Sequence, residues 1–398
     1  MNRVVKPLLA ALLGVSCIAG LGTAAQAQYI VVGNDEKITW DDAGKPVAHP
    51  PGKDTVIILD IKNRTKPKVA ASFQLENSIV GPPTNLAITP DEHLALVANS
   101  LDEVSDGSGG WKTVPDNKVY VFDLKASPPK QIATIEVGKQ PSGMAINHKG
   151  DLALIANRAD NTVSVLSING NEVKVIDTVA LAPKDAPSQQ VSSVAITPNG
   201  KQALVTKVGA NKIAVLKIDG QKVTYDGYDM NVGIFPYNVQ IASNGKIALT
   251  SDNFAYGSSD GGVGTSAVID MEATPPRVID YVVVGDGPEG LAVSPTANLA
   301  VSLILNGGNT AKNAFFHHDY SYVSILKIDG KKVTKVGEAK VGDFAEGTAF
   351  SPDGRYLYAF NFLSADMTVF KVEGTRLIRT GPDIKLPGHP ASARGSTP

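Results

Sequence analysis

The sequence predicts an all-β fold, a seven-bladed β-propeller with four antiparallel strands in each blade. A segment made of an apolar run, a small turn and a second apolar run occurs seven times, with aligned copies 44 to 63 residues apart. This is the spacing of propeller blades, and a helical period of 3.6 residues appears nowhere over a useful length. The seven copies are residues 56–69, 119–132, 163–175, 213–223, 267–278, 323–333 and 367–377.

A second repeated unit precedes most of these hairpins and supplies the two inner strands of a blade. Residues 83–99, 141–157 and 346–361 each read as an apolar strand, a tight turn and a second strand that ends near asparagine. Asp-Gly and Asn-Gly turns between alternating apolar runs are strong hairpin signals, because such turns need positive φ. Six complete blades therefore begin at Pro83, Pro141, Val191, Pro236, Pro288 and Ala345.

The remaining blade is predicted to be built from both ends of the chain. Residues 29–32 and 56–75 supply three strands, and residues 389–394 resemble the start of a missing innermost strand. Pairing of these segments would close the ring and remove exposed sheet edges.

The first 27 residues are predicted to be a signal peptide, so residues 28–398 form a single propeller domain. Arg3 and Lys6 precede an apolar stretch over 7–22, and residues 25–27 are a small-x-small cleavage site. About 16 apolar residues are too few to span a bilayer comfortably, no other stretch is long enough, and a periplasmic or secreted location follows. The only cysteine, Cys17, leaves with this segment, unless it is the acylated residue of a lipoprotein.

Charge and cysteine usage exclude several functions for the mature chain. It carries 35 basic and 39 acidic residues, whereas nucleic-acid binding needs a basic surface. Without cysteine it has no thiolate chemistry, no disulfide and no CxxCH haem attachment.

The units ending ALVAN at 95–99 and ALIAN at 153–157 resemble the YVTN-type repeat of bacterial seven-bladed propellers. The resemblance covers nearly all of the mature chain and extends to YncE-like extracytoplasmic proteins and, more distantly, to lactonases of the 6-phosphogluconolactonase type. It implies the propeller fold, but function far less, because one scaffold carries many unrelated sites. The sequence departs from the repeat at Lys207, Asp252 and Ile304, where other blades have asparagine.

Four long connections between the second and third strands are predicted to lie on one face, as two walls flanking the channel mouth. They are residues 34–54, 100–117, 253–265 and 306–321, in blades 1, 2, 5 and 6. Trp40 and Trp111 lie in the first pair and suit a small polar or partly apolar ligand, or an envelope protein partner. The alternative is that the rings only pack the loops together.

Residues that enter the innermost strands are predicted to line the upper channel. Glu289 and Glu346 fall at the same level on adjacent blades, where paired carboxylates can hold a cation or act as acid and base. With His318 they form a candidate catalytic set, and with His317 a candidate site for a divalent cation such as Ca²⁺ or Zn²⁺. The alternatives are a water-filled channel and histidines that pack within their loop, and the cofactor stays unknown.

Further ligand-binding candidates are taken from the same rings. Asn85, Tyr237 and Asn238 enter innermost strands, while Lys207 and Asp252 replace asparagine at the ends of second strands. A cation and an anion on neighbouring blades could orient a ligand, or could form a surface ion pair of little energetic weight.

Two functional hypotheses follow. The first is an envelope propeller that binds a ligand or partner on its loop-rich face. The alternative is a lactonase-like hydrolase of a small cyclic ester, with Glu289 or Glu346 activating water beside a histidine or a metal in the central channel. The sequence alone leaves open whether the protein is an enzyme.

Overall fold

Seven four-stranded antiparallel sheets follow one another around a ring, which confirms the predicted fold. The computed structural model describes Met1, residues 29–296 and residues 298–396, so the predicted signal peptide, apart from Met1, lies outside the described residues. The innermost strands of neighbouring blades contact each other all the way around the ring. The channel therefore runs along these seven strands.

The strands of blades 1 and 2 include two inserted hairpins that the repeat pattern does not predict. Blade 1 has β1 (Tyr29–Asn34), an inserted hairpin of β2 (Ile38–Trp40) and β3 (Pro46–Ala48), β4 (Thr55–Asp60) and β5 (Lys68–Gln74). Blade 2 has β6 (Leu86–Ile88), β7 (Leu94–Ala98), an inserted hairpin of β8 (Leu101–Ser105) and β9 (Trp111–Pro115), β10 (Lys118–Asp123) and β11 (Lys130–Glu136).

Blades 3 to 5 are regular. Blade 3 has β12 (Pro141–Ile146), β13 (Leu152–Asn157), β14 (Thr162–Asn169) and β15 (Glu172–Ala180). Blade 4 has β16 (Val191–Ile196), β17 (Gln202–Lys207), one 3-10 turn at Val208–Ala210, β18 (Lys212–Asp219) and β19 (Lys222–Asn231). Blade 5 has β20 (Pro236–Ile241), β21 (Ile247–Asp252), β22 (Gly264–Asp270) and β23 (Arg277–Gly285).

The last strands complete the ring. Blade 6 has β24 (Pro288–Val293), β25 (Leu299–Ile304), β26 (Tyr322–Asp329) and β27 (Lys332–Lys340). Blade 7 has β28 (Ala345–Phe350), β29 (Tyr356–Asn361), β30 (Asp366–Glu373), β31 (Arg376–Arg379) and a short β32 (Ile384–Lys385) that pairs with β30. The final strand, β33 (Pro390–Gly395), pairs with β1 as the innermost strand of blade 1, as predicted from the sequence.

The hydrophobic core lies between adjacent blades. For example, Leu154 and Val165 of blade 3 belong to the same buried cluster as Val194 and Val205 of blade 4. Alternation along each strand sends apolar side chains to both neighbouring blades. Full burial of one Leu, Val or Ile side chain stabilises the fold by roughly 1.5–3 kcal/mol. The seven interfaces between blades therefore supply the hydrophobic stabilisation of the ring.

Among the described residues, no helix is long and apolar enough to cross a bilayer.

Candidate active site

Glu289 and Glu346 occupy the second positions of β24 and β28, the innermost strands of adjacent blades, and each is only 2% exposed. Their side chains hydrogen-bond to each other. Burial raises the pKa of Glu289 to about 7, although the hydrogen bond from Glu346 and the charge of Arg158 act in the opposite direction. Burial and then the charge of Glu289 raise the pKa of Glu346 well above its ordinary value. The pair therefore holds one proton near neutral pH, with Glu346 donating to Glu289.

The charge of Arg158 acts on this pair by lowering the pKa of Glu289. Arg158 follows β13 in the short connection of blade 3, and its guanidinium carbon lies 5.9 Å from the ring centroid of Tyr237. Its Nη2 donates to Gln190 Oε1 at 3.1 Å, whereas its Nη1 is buried without a hydrogen-bond partner among the described residues. A buried, unused N–H on a cation is suited to binding a developing negative charge.

Four polar atoms on four blades near this level also lack hydrogen-bond partners among the described residues. They are Thr84 Oγ1, Ser192 Oγ, Ser392 Oγ and Glu346 Oε2. Buried polar atoms normally have a protein or water partner. Each of these atoms is therefore suited to bind water or a polar ligand.

A segment of residues 77–81, called the strap below, connects blade 1 to blade 2 and is contacted by the Tyr237 side chain of blade 5. The Gly81 N–H donates to the Tyr237 hydroxyl at 3.0 Å, and Tyr237 stacks on Phe235 with ring centroids 5.7 Å apart. Burial and the nearby charge of Glu289 raise the pKa of Tyr237 well above its ordinary value, so the phenol stays protonated. The strap thus connects blade 1 to Tyr237, a blade 5 residue of the candidate site.

The base of the strap is held by a buried ion network around Lys37. Lys37 Nζ contacts an oxygen of Asp54 and the carbonyl of Asn77, and lies 3.6 Å from carboxylate oxygens of Asp35 and Glu76. The Ile79 N–H donates to Asp35 Oδ2 at 2.7 Å. Burial raises the pKa of Asp35 to about 6 and that of Glu76 to about 7.

Apolar side chains complete a cover over the channel mouth. Trp40 lies with its ring centroid 4.8 Å from that of Phe344, in a cluster that also contains Ile79 and Leu305. The blade 1 insertion reaches the blade 6 insertion, where Lys312 pairs with Asp42 at 2.7 Å. The long loops are on one face as predicted, but they form a continuous cover rather than two separate walls.

The two tryptophans do not share a ligand surface. Trp40 packs the loops together, which was the alternative interpretation, and Trp111 begins β9 with 37% of its surface exposed. Of the other channel candidates, Asn85 donates to Asn77 Oδ1 at 2.8 Å, and Asn238 accepts from Ser193 Oγ at 3.1 Å. Both asparagines therefore connect elements around the upper channel.

The histidines do not join the carboxylate pair. His317 uses its two ring nitrogens on Gly307 O at 3.0 Å and Asp319 Oδ1 at 3.1 Å, while His318 Nδ1 lies 3.0 Å from Phe316 O. Within the described part of the chain, no three His, Cys, Asp or Glu side chains are arranged to hold a metal ion. The ligand set of Glu289, Glu346 and His317 is therefore not assembled, because the blade 6 loop engages its own histidines.

Lys207 and Asp252 also differ from expectation. Lys207 pairs with Asp229 Oδ2 at 2.8 Å on the outer strand of its own blade. Asp252 is buried and accepts from Thr265 Oγ1 at 3.1 Å, and burial raises its pKa to about 7. Lys207 thus contacts the fourth strand of its blade, and Asp252 contacts the third strand of its own. The two side chains do not form the predicted cation and anion pair across blades.

Sequence reasoning missed Arg158, Asn253 and the strap. Arg158 lies in a short turn, whereas functional side chains are expected mainly in long loops. Asn253 lies at the start of a long loop and donates to Glu289 Oε1 at 3.4 Å. Its place in that loop is the sequence signal that could identify it. The strap occurs once, and repeat comparison gives no signal for it.

Comparison with known proteins agrees with this architecture. The model of a family described as "Lactonase, 7-bladed beta-propeller" matches residues 115–253, roughly a third of the chain. The matched span contains Arg158, Tyr237 and Asn253 but not the two glutamates. No curated protein matches the sequence.

Solved structures give the same picture. A candidate 6-phosphogluconolactonase from Bacteroides fragilis is 17% identical, with 94% of this chain and 99% of that chain covered and a TM-score of 0.70. The periplasmic gluconolactonase of Pseudomonas aeruginosa is 17% identical, with 93% and 99% covered and a TM-score of 0.66. A functionally unknown protein from Desulfotomaculum acetoxidans is 15% identical, with 94% and 100% covered and a TM-score of 0.67. At these identities the likeness shows the fold.

Proposed function

We propose that this chain is a lactonase-type hydrolase that opens small cyclic esters. The observation that carries the proposal is the burial of Glu289 and Glu346 on adjacent blades, with the charge of Arg158 acting on Glu289 and its Nη1 unpartnered among the described residues. The partial match to a lactonase family and the fold shared with a gluconolactonase support it.

The pair can supply both proton transfers of ester hydrolysis. Glu289, the more acidic member, takes a proton from water as the water oxygen bonds to the carbonyl carbon of the lactone. The ring C–O bond then breaks, and Glu346 gives its proton to the leaving oxygen, which yields a hydroxy acid. Arg158 Nη1 stabilises the negative charge on the carbonyl oxygen. A proton passing from Glu289 to Glu346 along their hydrogen bond restores the starting state.

The test is turnover of a panel of sugar and aliphatic lactones by the mature chain, with and without a chelator. We expect Glu289→Gln and Glu346→Gln each to lower kcat/KM by roughly 10²–10⁴, the usual contribution of general acid–base catalysis. Glu172→Gln, in the exposed ion pair with Lys174 on an outer strand, is the matched control and should leave turnover unchanged.

Full activity in both glutamine variants would overturn the proposal. A binding role is favoured instead if the wild type hydrolyses no lactone but is stabilised against heat by one of them, and if Glu289→Gln removes that stabilisation.

We further propose that the protein acts in the periplasm or outside the cell. The predicted signal peptide and the periplasmic gluconolactonase of the same fold support this location. Cell fractionation should recover a chain that starts at Gln28, and recovery of the uncleaved chain from the cytosol would contradict it.

A further inference from the structure

A cavity lies at the end of the channel on the face opposite the long loops. Its volume is about 150 Å³, and the ends of all seven innermost strands line it. None of the residues of the candidate active site lines it. Its walls combine apolar side chains such as Ile88, Ile196 and Phe350 with polar ones such as Asn147 and His148.

The blade repeat explains why the cavity is open at its centre and which blade differs from the other six. Strand pairing shows that the same register position of the innermost strand is occupied in every blade by one residue that lines this cavity. Six blades carry a small or neutral residue there, and blade 1 carries Arg394. The residues are Ala87, Ala145, Ala195, Gln240, Ala292, Ala349 and Arg394. Five alanines leave the centre open, and the arginine of blade 1 extends into that space.

No residue described along the wall of this cavity supplies Arg394 with a counter-charge. Among the described residues, its guanidinium makes no hydrogen bond or ion pair, and none of the residues lining the cavity is acidic. Burial lowers its pKa to about 10, so the group remains charged at neutral pH. A charge in an apolar setting interacts with an opposite charge more strongly than one in bulk water.

We propose that this cavity binds a small monocarboxylate with an apolar body, whose carboxylate pairs with Arg394. A guanidinium matches a carboxylate through two parallel hydrogen bonds. The surrounding Ile and Phe side chains would contact the apolar part, and a cavity of about this volume accommodates a molecule the size of benzene. This site is independent of the lactone chemistry proposed for the other end of the channel.

The experiment measures binding of benzoate to the mature chain by calorimetry. Benzyl alcohol is the probe that lacks the charge, and inorganic phosphate is the anion that lacks the apolar body. We expect benzoate to bind at least about tenfold more tightly than either, because a charge-assisted bidentate pair and the apolar contact each add to affinity.

Two variants separate charge from space. Arg394→Gln should weaken benzoate binding at least about tenfold and remove the preference over benzyl alcohol. Ala195→Leu keeps the charge but fills the cavity, and should also abolish binding. Arg355→Gln is the matched control, since Arg355 is exposed and paired with Asp353 at 2.8 Å on the same face, and should bind like the wild type.

Several outcomes would overturn the proposal. They are no benzoate binding to the wild type, equal binding of benzyl alcohol or phosphate, and unchanged benzoate binding in Arg394→Gln. If Arg394→Gln does not fold, unchanged benzoate binding in a folded Ala195→Leu variant would overturn the proposal instead.

Discussion

Single ionisable side chains carry most of the chemistry of this channel, because the ring removes them from water. Glu289, Glu346, Asp35 and Glu76 all have pKa values raised by burial. A carboxyl whose pKa is raised on folding binds its proton more tightly in the folded state, so its contribution to stability is largest at low pH and is lost as the pH rises.

The carboxylate pair should therefore leave a signature in the pH dependence of stability. Between pH 4.5 and 7 the unfolded chain releases protons that the folded pair retains, so the free energy of unfolding falls as the pH rises. In Glu346→Gln this proton release is removed while a hydrogen-bond donor remains. Over this pH range, the free energy of unfolding should fall by up to roughly 3 kcal/mol less in the variant than in the wild type. Urea titrations at several pH values would measure this difference. Parallel pH profiles for the two proteins would contradict the shared proton.

The Lys37 network gives a second prediction at this scale. Lys37→Met leaves Asp35, Asp54 and Glu76 without their common cation, and breaking a buried ion network by removing one partner costs roughly 3–5 kcal/mol. The cost should shrink below pH 5, where Asp35 and Glu76 become protonated. Lys62→Met, which removes only an exposed pair with Asp60, should cost about 0–1 kcal/mol. Equal losses in chemical denaturation would show that the network does not stabilise the fold.

At the scale of elements, the strap and the inserted hairpins decide which part of the channel is accessible. The strap is fixed at one end by Asp35 and at the other by the Tyr237 hydroxyl. Ile79 of the strap packs with Leu305 and Phe344 of blades 6 and 7, so movement of the strap would change access to the channel from the loop-rich face.

Removal of one anchor should loosen the strap alone. Tyr237→Phe leaves the Gly81 N–H without its acceptor, at a cost of about 1–3 kcal/mol for the unsatisfied group. Hydrogen exchange over residues 79–81 should become faster while the blade strands stay protected. Tyr228→Phe, which loses a bond to Pro276 O at 2.8 Å on the outer rim, is the control. Unchanged exchange in the Tyr237 variant would mean that the phenol does not anchor the strap.

The sequence predicts regular elements well and single-copy elements poorly. Every blade boundary follows from the repeat, because alternation and turn residues recur seven times. The partner of Lys207 does not follow, since Asp229 lies beyond a register shift between Ala214 and Leu216 that no pattern announces. The level of Glu289 and Glu346 was predictable from the repeat, whereas the turn of Arg158 toward them depends on a side-chain direction that spacing does not encode.

For the whole molecule, closure of the ring depends on one strand contributed from the far end of the chain. β33 pairs with β1 from Ile30 opposite Gly395 to Asn34 opposite Pro390, and Ala393 is buried in the interface with blade 7. Without β33 the β1 edge is unpaired and the interface between blades 1 and 7 loses its innermost layer.

Truncation after Gly388 should therefore convert the protein into an aggregating species. A synthetic peptide of residues 389–396 should restore a monomer by pairing with β1, and a scrambled peptide should not. Light scattering and size-exclusion chromatography would measure both effects. A truncated chain that stays monomeric and unfolds cooperatively without the peptide would show that closure is dispensable.

The pairing of β1 with β33 also determines which face of the propeller a tether at either end of the chain would hold toward a surface. Tyr29 and Gly395 both lie at the ends of these strands that point away from the long loops, and Gly395 lines the Arg394 cavity. A tether at either terminus would hold the propeller with the strap facing the medium and the cavity facing the anchoring surface. Immobilisation on a sensor chip through a terminal tag would then leave the loop-rich face accessible while obstructing the Arg394 cavity.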